Sequence, residues 1–268
     1  MRTQGSNPKV APIGLGDEAT LLKMLDLFSG IGGFSLAAEW TGAIETVAFC
    51  EIDPFCQKVL KKHWPDVPVF DDVKELDFTQ FKGIDLVSAG FPCQDLSLAG
   101  QGEGLEGERS GLWREVARCV REASPRYLVV ENVPALLIRG MGDVLSDLAS
   151  CGYDAEWDCL PASAFGAYHE RDRLFIVAYP QSKHRESRRV LETSRRQQAQ
   201  LQSRRFHSMA VATGGATPGK RLECEPDLVR LVPRIPDRTH RLEGLGNSIY
   251  PEAASFILKA IVEIEETA

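Results

Sequence analysis

The stretch DLFSGIGGFSLA, residues 26–37, decides how the rest of the chain is read. An apolar run, KMLDLF at 23–28, leads into it as a strand, and apolar residues at helical spacing over 33–40 lead out. Gly30, Gly32 and Gly33 lie between, where a chain without Cβ atoms turns sharply and brings backbone close to a ligand at a helix N-terminus. Strand, glycine turn and helix together open an α/β unit. A dinucleotide fingerprint would need its third glycine at position 35, which is Ser35. The Gly-x-Gly-x-x-Gly form is therefore incomplete, and the motif on its own fits a tight turn equally well.

Outward from this stretch the pattern repeats. ETVAFC (45–50), PVF (68–70), IDLVSAG (84–90), YLVVEN (127–132), AEWDCL (155–160) and RLFIVA (173–178) predict strands, and residues 54–63, 112–123 and 141–150 predict helices. Such alternation predicts an α/β fold with a doubly wound, mainly parallel sheet, in which ligands bind beyond the carboxyl ends of the strands. From Pro180 to about Arg221 Ser, Gln and Arg dominate, which predicts an insert outside the core. GLGNSIYPEAASFILKAIVEIEE then reads as a loop leading into an amphipathic helix that begins near Pro251. The expected division is an N-terminal extension (1–22), a main domain (23–180 and 239–268) and a small insert (181–238).

Composition narrows the function classes. With 268 residues, 43% hydrophobic and 26% charged, the chain can bury a full core and is neither wholly disordered nor fibrous. No apolar run approaches the ~18 residues of a membrane span, and residues 1–20 have no signal-peptide pattern. Seven cysteines, at 50, 56, 93, 119, 151, 159 and 224, include no Cys-x-x-Cys pair; they fit a reducing cytoplasm and no metal site. The net charge of −7 is unevenly spread: residues 181–221 hold ten Lys or Arg against Glu186 and Glu192. An acidic body with one basic arm suits phosphate contacts, and a solvated loop is the plainer alternative.

The unusual residues fall at strand ends. Glu51 closes the second strand, where an acid can accept hydrogen bonds from both ribose hydroxyls or simply cap the helix starting at Pro54. Asp71 and Asp72 follow the third strand, placed to meet an adenine amino group, although surface acids are common there. Three strand ends thus offer a nucleoside pocket without a phosphate cradle, which favours S-adenosylmethionine over NAD. Cys93 stands just past the fourth strand in AGFPCQDLSLAG, where a thiol needs loop amides or a nearby cation to react as thiolate. Glu131 ends the next strand as a partly buried acid or a plain strand-end charge, and Arg171 and Arg173, two apart, fall on the same side if the strand begins early, as site cations or a surface pair.

Taken in order, DLFSGIGG, CEID, DDV, GFPCQ, ENV, RDRLFIVA and GLGNSIYP resemble the motifs of the cytosine-carbon-5 DNA methyltransferases, over about residues 23–179 and 238–265. The resemblance implies a Rossmann-like, class I S-adenosylmethionine-dependent fold with a small basic target-recognition insert. It implies cofactor contacts from Asp26, Phe28, Ser29, Gly30, Ile31, Gly32 and Gly33, from Glu51, Ile52, Asp72 and Val73, and from Pro92, Leu112, Asn247 and Ser248. Cys93 would be the nucleophile, Glu131 would meet ring nitrogen 3 of cytosine, and Arg173 with Arg171 would hold oxygen 2. Gln94, Ser97, Arg204 and Arg205 are the expected DNA contacts, the last two preceding Phe206 as a candidate wedge. The expected substrate is double-stranded DNA and the expected state a cytoplasmic monomer, with a cognate restriction endonuclease as the partner the family allows.

Two departures stand out. His169 occupies a position where many members carry Gln, and the long motif that usually precedes the Gly-Asn segment is replaced by PRIPDRTHRLEGLGN. The recognition region is therefore small for the family. Three rival readings remain: an RNA cytosine methyltransferase on the same motifs, a cofactor-independent binding module, and a nicotinamide oxidoreductase. Ser35 and the pairing of Cys93 with Glu131 weaken the last.

Overall fold

The computed structural model describes residues 21–92, 111–165, 167, 171–183, 190–196 and 238–267. Seven strands, β1 (Leu22–Leu27), β2 (Ile44–Cys50), β3 (Val69–Phe70), β4 (Leu86–Ala89), β5 (Tyr127–Asn132), β6 (Tyr153–Pro161) and β7 (Asp172–Pro180), form one sheet in the order β3-β2-β1-β4-β5-β7-β6. The first five are parallel, and β7 runs antiparallel to both its neighbours. Chain order reverses between β1 and β4, so a crevice opens beyond the carboxyl ends of these two strands. Every residue of β4 and β5 is buried, as expected for central strands covered on both faces.

Helices α1 (Gly33–Glu39), α2 (Pro54–His63), α3 (Gly111–Ala123), α4 (Leu136–Arg139) and α5 (Met141–Ser150) connect the strands, and α6 (Arg238–Asn247) and α7 (Pro251–Thr267) follow. Asp53 caps α2, its Oδ1 accepting from the N–H of Phe55 at 2.7 Å and of Cys56 at 2.9 Å, with Pro54 at the first helical position. On one sheet face α3 buries Trp113, Val116 and Val120 against Leu25, Val87 and Val130. On the other, α1 and α7 bury Phe34 and Ala37 with Ile257 and Ile261. Truncating either isoleucine to Ala removes about 2–5 kcal/mol of stability at sites this enclosed.

Two segments differ from the sequence expectation. Residues 244–247, expected as loop, form the last turn of a helix that begins at Arg238. Two glycines lower the helix propensity of this stretch, but a Cβ on Gly244 would already lie 3.2 Å from Ile31 Cγ2, so the glycine brings α6 against the glycine turn. Residues 190–196, expected outside the core, form a helical turn whose Val190, Leu191 and Ser194 are buried. Apolar contact overrides the polar composition around them.

Candidate active site

A cavity of about 660 Å³ opens beyond the carboxyl ends of the strands, within the range of small-molecule sites. Phe28 and Gly30 after β1, Glu51 and Ile52 after β2, and Asp71, Asp72 and Val73 after β3 line one half. Gly90, Phe91 and Pro92 after β4, Leu112 of α3, Glu131 at the end of β5, and Arg171 and Arg173 beside the start of β7 line the other. Asn247 and other residues of α6 complete the wall.

The glycine turn is shaped for close approach. Phe28 (φ 54°) and Gly30 (φ 54°) both take left-handed backbone, and at Phe28 that conformation is strained for a side-chain-bearing residue. Glu51 is fixed by the turn: its Oε2 accepts from the Gly30 N–H at 2.6 Å and its Oε1 from the Asp53 N–H at 2.8 Å. Each oxygen keeps a second lone pair for a ligand hydroxyl. The helix-capping alternative for Glu51 falls away, since Asp53 caps α2.

Not every expected cofactor residue faces the cavity. Asp26 is fully buried beneath it, accepting from Ser88 Oγ at 2.7 Å and Ser35 Oγ at 3.0 Å, and Ser29 is buried with its hydroxyl donating to the Asp26 carbonyl. These two hold the turn from below and are absent from the cavity lining. Burial pushes the Asp26 carboxyl up to about 7. Ile31 lines a neighbouring hollow between α2 and α6. Gly33 stands against the segment after α6, where a Cβ would come within 2.8 Å of Ile249 Cγ1 and 3.1 Å of Ser248 Oγ. Gly32, Gly33 and Ser248 are absent from the cavity lining, so these three shape its wall from behind.

At the other end Glu131 is 8% exposed, and its Oε1 lies 2.9 Å from Arg173 Nε. Burial pushes this carboxyl up to about 7 against the opposing pull of Arg173 and Arg171. Arg171, expected beside Arg173 at the base, is committed elsewhere: its Nη2 donates to the carbonyls of Gly246 and Ser248, each at 2.7 Å. It thereby clamps the chain on both sides of Asn247. Asn132 Nδ2 donates to the Phe91 carbonyl at 3.0 Å, bracing the backbone two residues before Cys93. Cys93, Gln94, Ser97, His169, Arg204 and Arg205 lie outside the described residues. Cys50 and Cys56 are pushed up to about 12 and Cys119 higher still, mainly by burial, which makes them inert thiols.

One cavity therefore joins an acidic half, lined by Glu51, Asp71 and Asp72, to the buried Glu131 carboxyl and its partly buried partner Arg173. The family model described as C-5 cytosine-specific DNA methylase matches residues 22–234. The chain belongs to this family. Among similar curated proteins, the Type II methyltransferase M2.BsuMI of Bacillus subtilis (strain 168) is 38% identical over 165 residues, 59% of this chain and 42% of that protein. The Type II methyltransferase M.CviJI of Paramecium bursaria Chlorella virus IL3A is 37% identical over 158 residues, 58% of this chain and 42% of that protein. The chain thus spans about two fifths of the length of these relatives. A putative DNA modification methyltransferase encoded within an Escherichia coli prophage superposes with a TM-score of 0.50 at 28% identity, covering 60% of this chain and 47% of that one. A mutant of Spodoptera frugiperda DNMT2 shares the fold, with a TM-score of 0.51 at 22% identity over 59% of this chain and 50% of that one.

The methylase-family cavity also contains residues the motifs do not announce. His240 and Glu243 reach its wall from α6, and His240 stacks on Phe55 with ring centroids 5.8 Å apart. No motif among those quoted from the sequence picks them out. Asn132 lies inside the ENV motif, and its role comes from the Phe91 carbonyl that accepts from its side chain. Among the described residues no group of acids, histidines and cysteines could hold a metal ion, and no helix is long and apolar enough to cross a membrane.

Proposed function

We propose that this chain transfers a methyl group from S-adenosylmethionine to carbon 5 of cytosine in a specific sequence of double-stranded DNA. The observation that carries this reading is one cavity lined by Glu51 and Asp72 and also by the buried Glu131 with its partner Arg173, with the chain leading to Cys93 braced at its rim. The acidic half suits the cofactor: Glu51 and Asp72 offer acceptors to ribose and adenine, and Gly30 lets backbone come close. Bound there, S-adenosylmethionine supplies an electrophilic methyl group on a cationic sulfur.

The chain's own residues do the rest. Carbon 5 of cytosine is a poor nucleophile until the Cys93 thiolate adds to carbon 6, forming a carbon–sulfur bond and moving an electron pair into the ring. Glu131, in its protonated form, donates to ring nitrogen 3 and neutralises the charge that addition creates. Arg173 orients Glu131 and holds oxygen 2. After carbon 5 is methylated, loss of its proton to a base or water returns an electron pair that expels the Cys93 thiolate. A paired base cannot reach this cavity, so it must rotate out of the helix at a cost of a few kcal/mol, offset in part by phosphate contacts from residues 181–238. In this reading the protein acts as a cytoplasmic monomer, with a cognate restriction endonuclease as partner.

Incubation with labelled S-adenosylmethionine and duplex DNA or RNA tests the proposal. Label on carbon 5 of DNA cytosine, lost in Cys93→Ala with cofactor affinity retained, is the expected result. Label on RNA alone would replace the substrate, and near wild-type turnover by Cys93→Ala would remove the covalent route.

A further inference from the structure

The basic segment leaves the sheet at the end remote from the cavity. β7 starts beside the pocket at Arg173 and runs down to Pro180, which pairs with Tyr153, the first residue of β6. The Gln181 N–H then donates to the Gly152 carbonyl at 3.0 Å, fixing the chain there. Nine strand residues rise about 30 Å, so the segment begins almost a full strand length from the base it has to recognise.

Residues 190–196 supply a way back. Val190 and Leu191 are buried beside Phe175, Val177 and Tyr179, on the sheet face shared with α7. The Leu191 N–H donates to Glu156 Oε1 at 3.3 Å, and four residues later Arg195 meets Asp158, with Nη2 at 2.7 Å and Nε at 2.8 Å from Oδ2. Four helical residues rise about 6 Å and two strand residues about 6.7 Å, so helix and strand climb in step. Asp158 pairs with Phe175, and Phe175 with Glu131. Arg195 is therefore held at the rung of Glu131, two strand spacings or roughly 10 Å across the sheet.

We propose that residues 190–196 form a ramp that returns the chain to the level of the target pocket, with Glu156 and Asp158 on β6 as its positioning residues. The inference rests on the reading of residues 181–238 as the DNA-recognition region. It divides the basic run by role. Arg195 ties the turn to Asp158 of β6 and leaves phosphate contact to other residues of the segment, whereas Arg196 pairs with Glu192 inside the turn itself.

The test is a charge swap read by several measurements on the full chain. Asp158→Arg should lower kcat/KM for duplex DNA about tenfold or more, with S-adenosylmethionine affinity by calorimetry within twofold of wild type. Asp158→Arg combined with Arg195→Asp should recover most of that loss. Arg195→Ala should weaken DNA binding while leaving the slope of log affinity against log salt unchanged. The ramp is overturned by an Asp158→Arg protein with wild-type kcat/KM, by a swap that recovers nothing, or by an Arg195→Ala slope shallower by about 0.9, the mark of a lost phosphate contact. Wild-type protein that binds no duplex at any salt concentration would overturn the DNA reading itself, and the inference with it.

Discussion

Arg173, near the start of β7, places its Nε 2.9 Å from Oε1 of Glu131 near the end of β5, so a cation and a buried acid from adjacent antiparallel strands meet at the mouth of the cavity. The two pull the carboxyl in opposite directions. Burial outweighs the guanidinium, and Glu131 sits at about 7, where both protonation states are populated under ordinary conditions.

A proton donor at ring nitrogen 3 must carry its proton, so kcat/KM for DNA should fall as pH rises above about 7, tenfold per unit once most of the carboxyl is ionised. Glu131→Gln should lower kcat by about 10²–10⁴ and flatten that alkaline limb, with cofactor affinity unchanged. A pH–rate series on both proteins checks this. An alkaline limb that survives unchanged in the variant would assign it to another group.

The two arginines should separate by kinetic parameter. Arg171→Ala frees the carbonyls of Gly246 and Ser248 and loosens the wall at Asn247, so the KM for cofactor should rise about tenfold while kcat at saturation stays within a few-fold. Arg173→Ala should lower kcat with little change in cofactor affinity. Equal effects on both parameters in both variants would show that the arginines act as one unit.

Glu51→Ala should raise the cofactor dissociation constant at least tenfold, since it removes a ligand acceptor and also the partner of the Gly30 and Asp53 N–H groups. Saturating cofactor should restore much of the rate. Calorimetric titration decides: unchanged affinity would confine Glu51 to bracing the turn.

Asp26 makes stability depend on pH. Its carboxyl stands at about 7 in the folded chain against 3.8 ordinarily, so between these values the folded state binds more protons than the unfolded one and stability falls as pH rises. The loss begins near pH 4 and is complete above 7, amounting to a few kcal/mol at most. Glu131 adds a loss of the same sign. Asp26→Asn should flatten the decline of Tm between pH 5 and 8, and thermal melts across that range will show whether it does.

Strand ends were the legible part of this molecule. Short apolar, β-branched runs that stop at a glycine, an acid or a cysteine mark both the sheet and its ligand side, and Glu51, Asp72, Glu131 and Arg173, read from those ends, all line the cavity. Direction within a strand end was not legible. Arg171 and Arg173 share a spacing and a residue type, yet one turns to backbone carbonyls and the other to Glu131, and only the position of the segment after α6 decides which. Asp26 reads like a cofactor residue for the same reason, since its motif cannot say that Ser35 and Ser88 enclose it. The helical turn at 190–196 was hidden by composition, its Val190, Leu191 and Ser194 outnumbered by charged and polar neighbours.

The pairing of α1 with α7 has a consequence during synthesis. Phe34 and Ala37 are translated early, and the isoleucines that cover them, Ile257 and Ile261, come from the other end of the sequence. At about 5–20 residues per second the ribosome leaves the apolar side of α1 without its partner for roughly ten seconds or more. Throughout that interval the glycine turn is only half supported, because the Ile249 side chain that abuts Gly33 is equally late. A nascent chain can build α3 against the opposite side of the sheet first, so ribosome-bound intermediates should expose the α1 side to chaperones and proteases until α7 emerges.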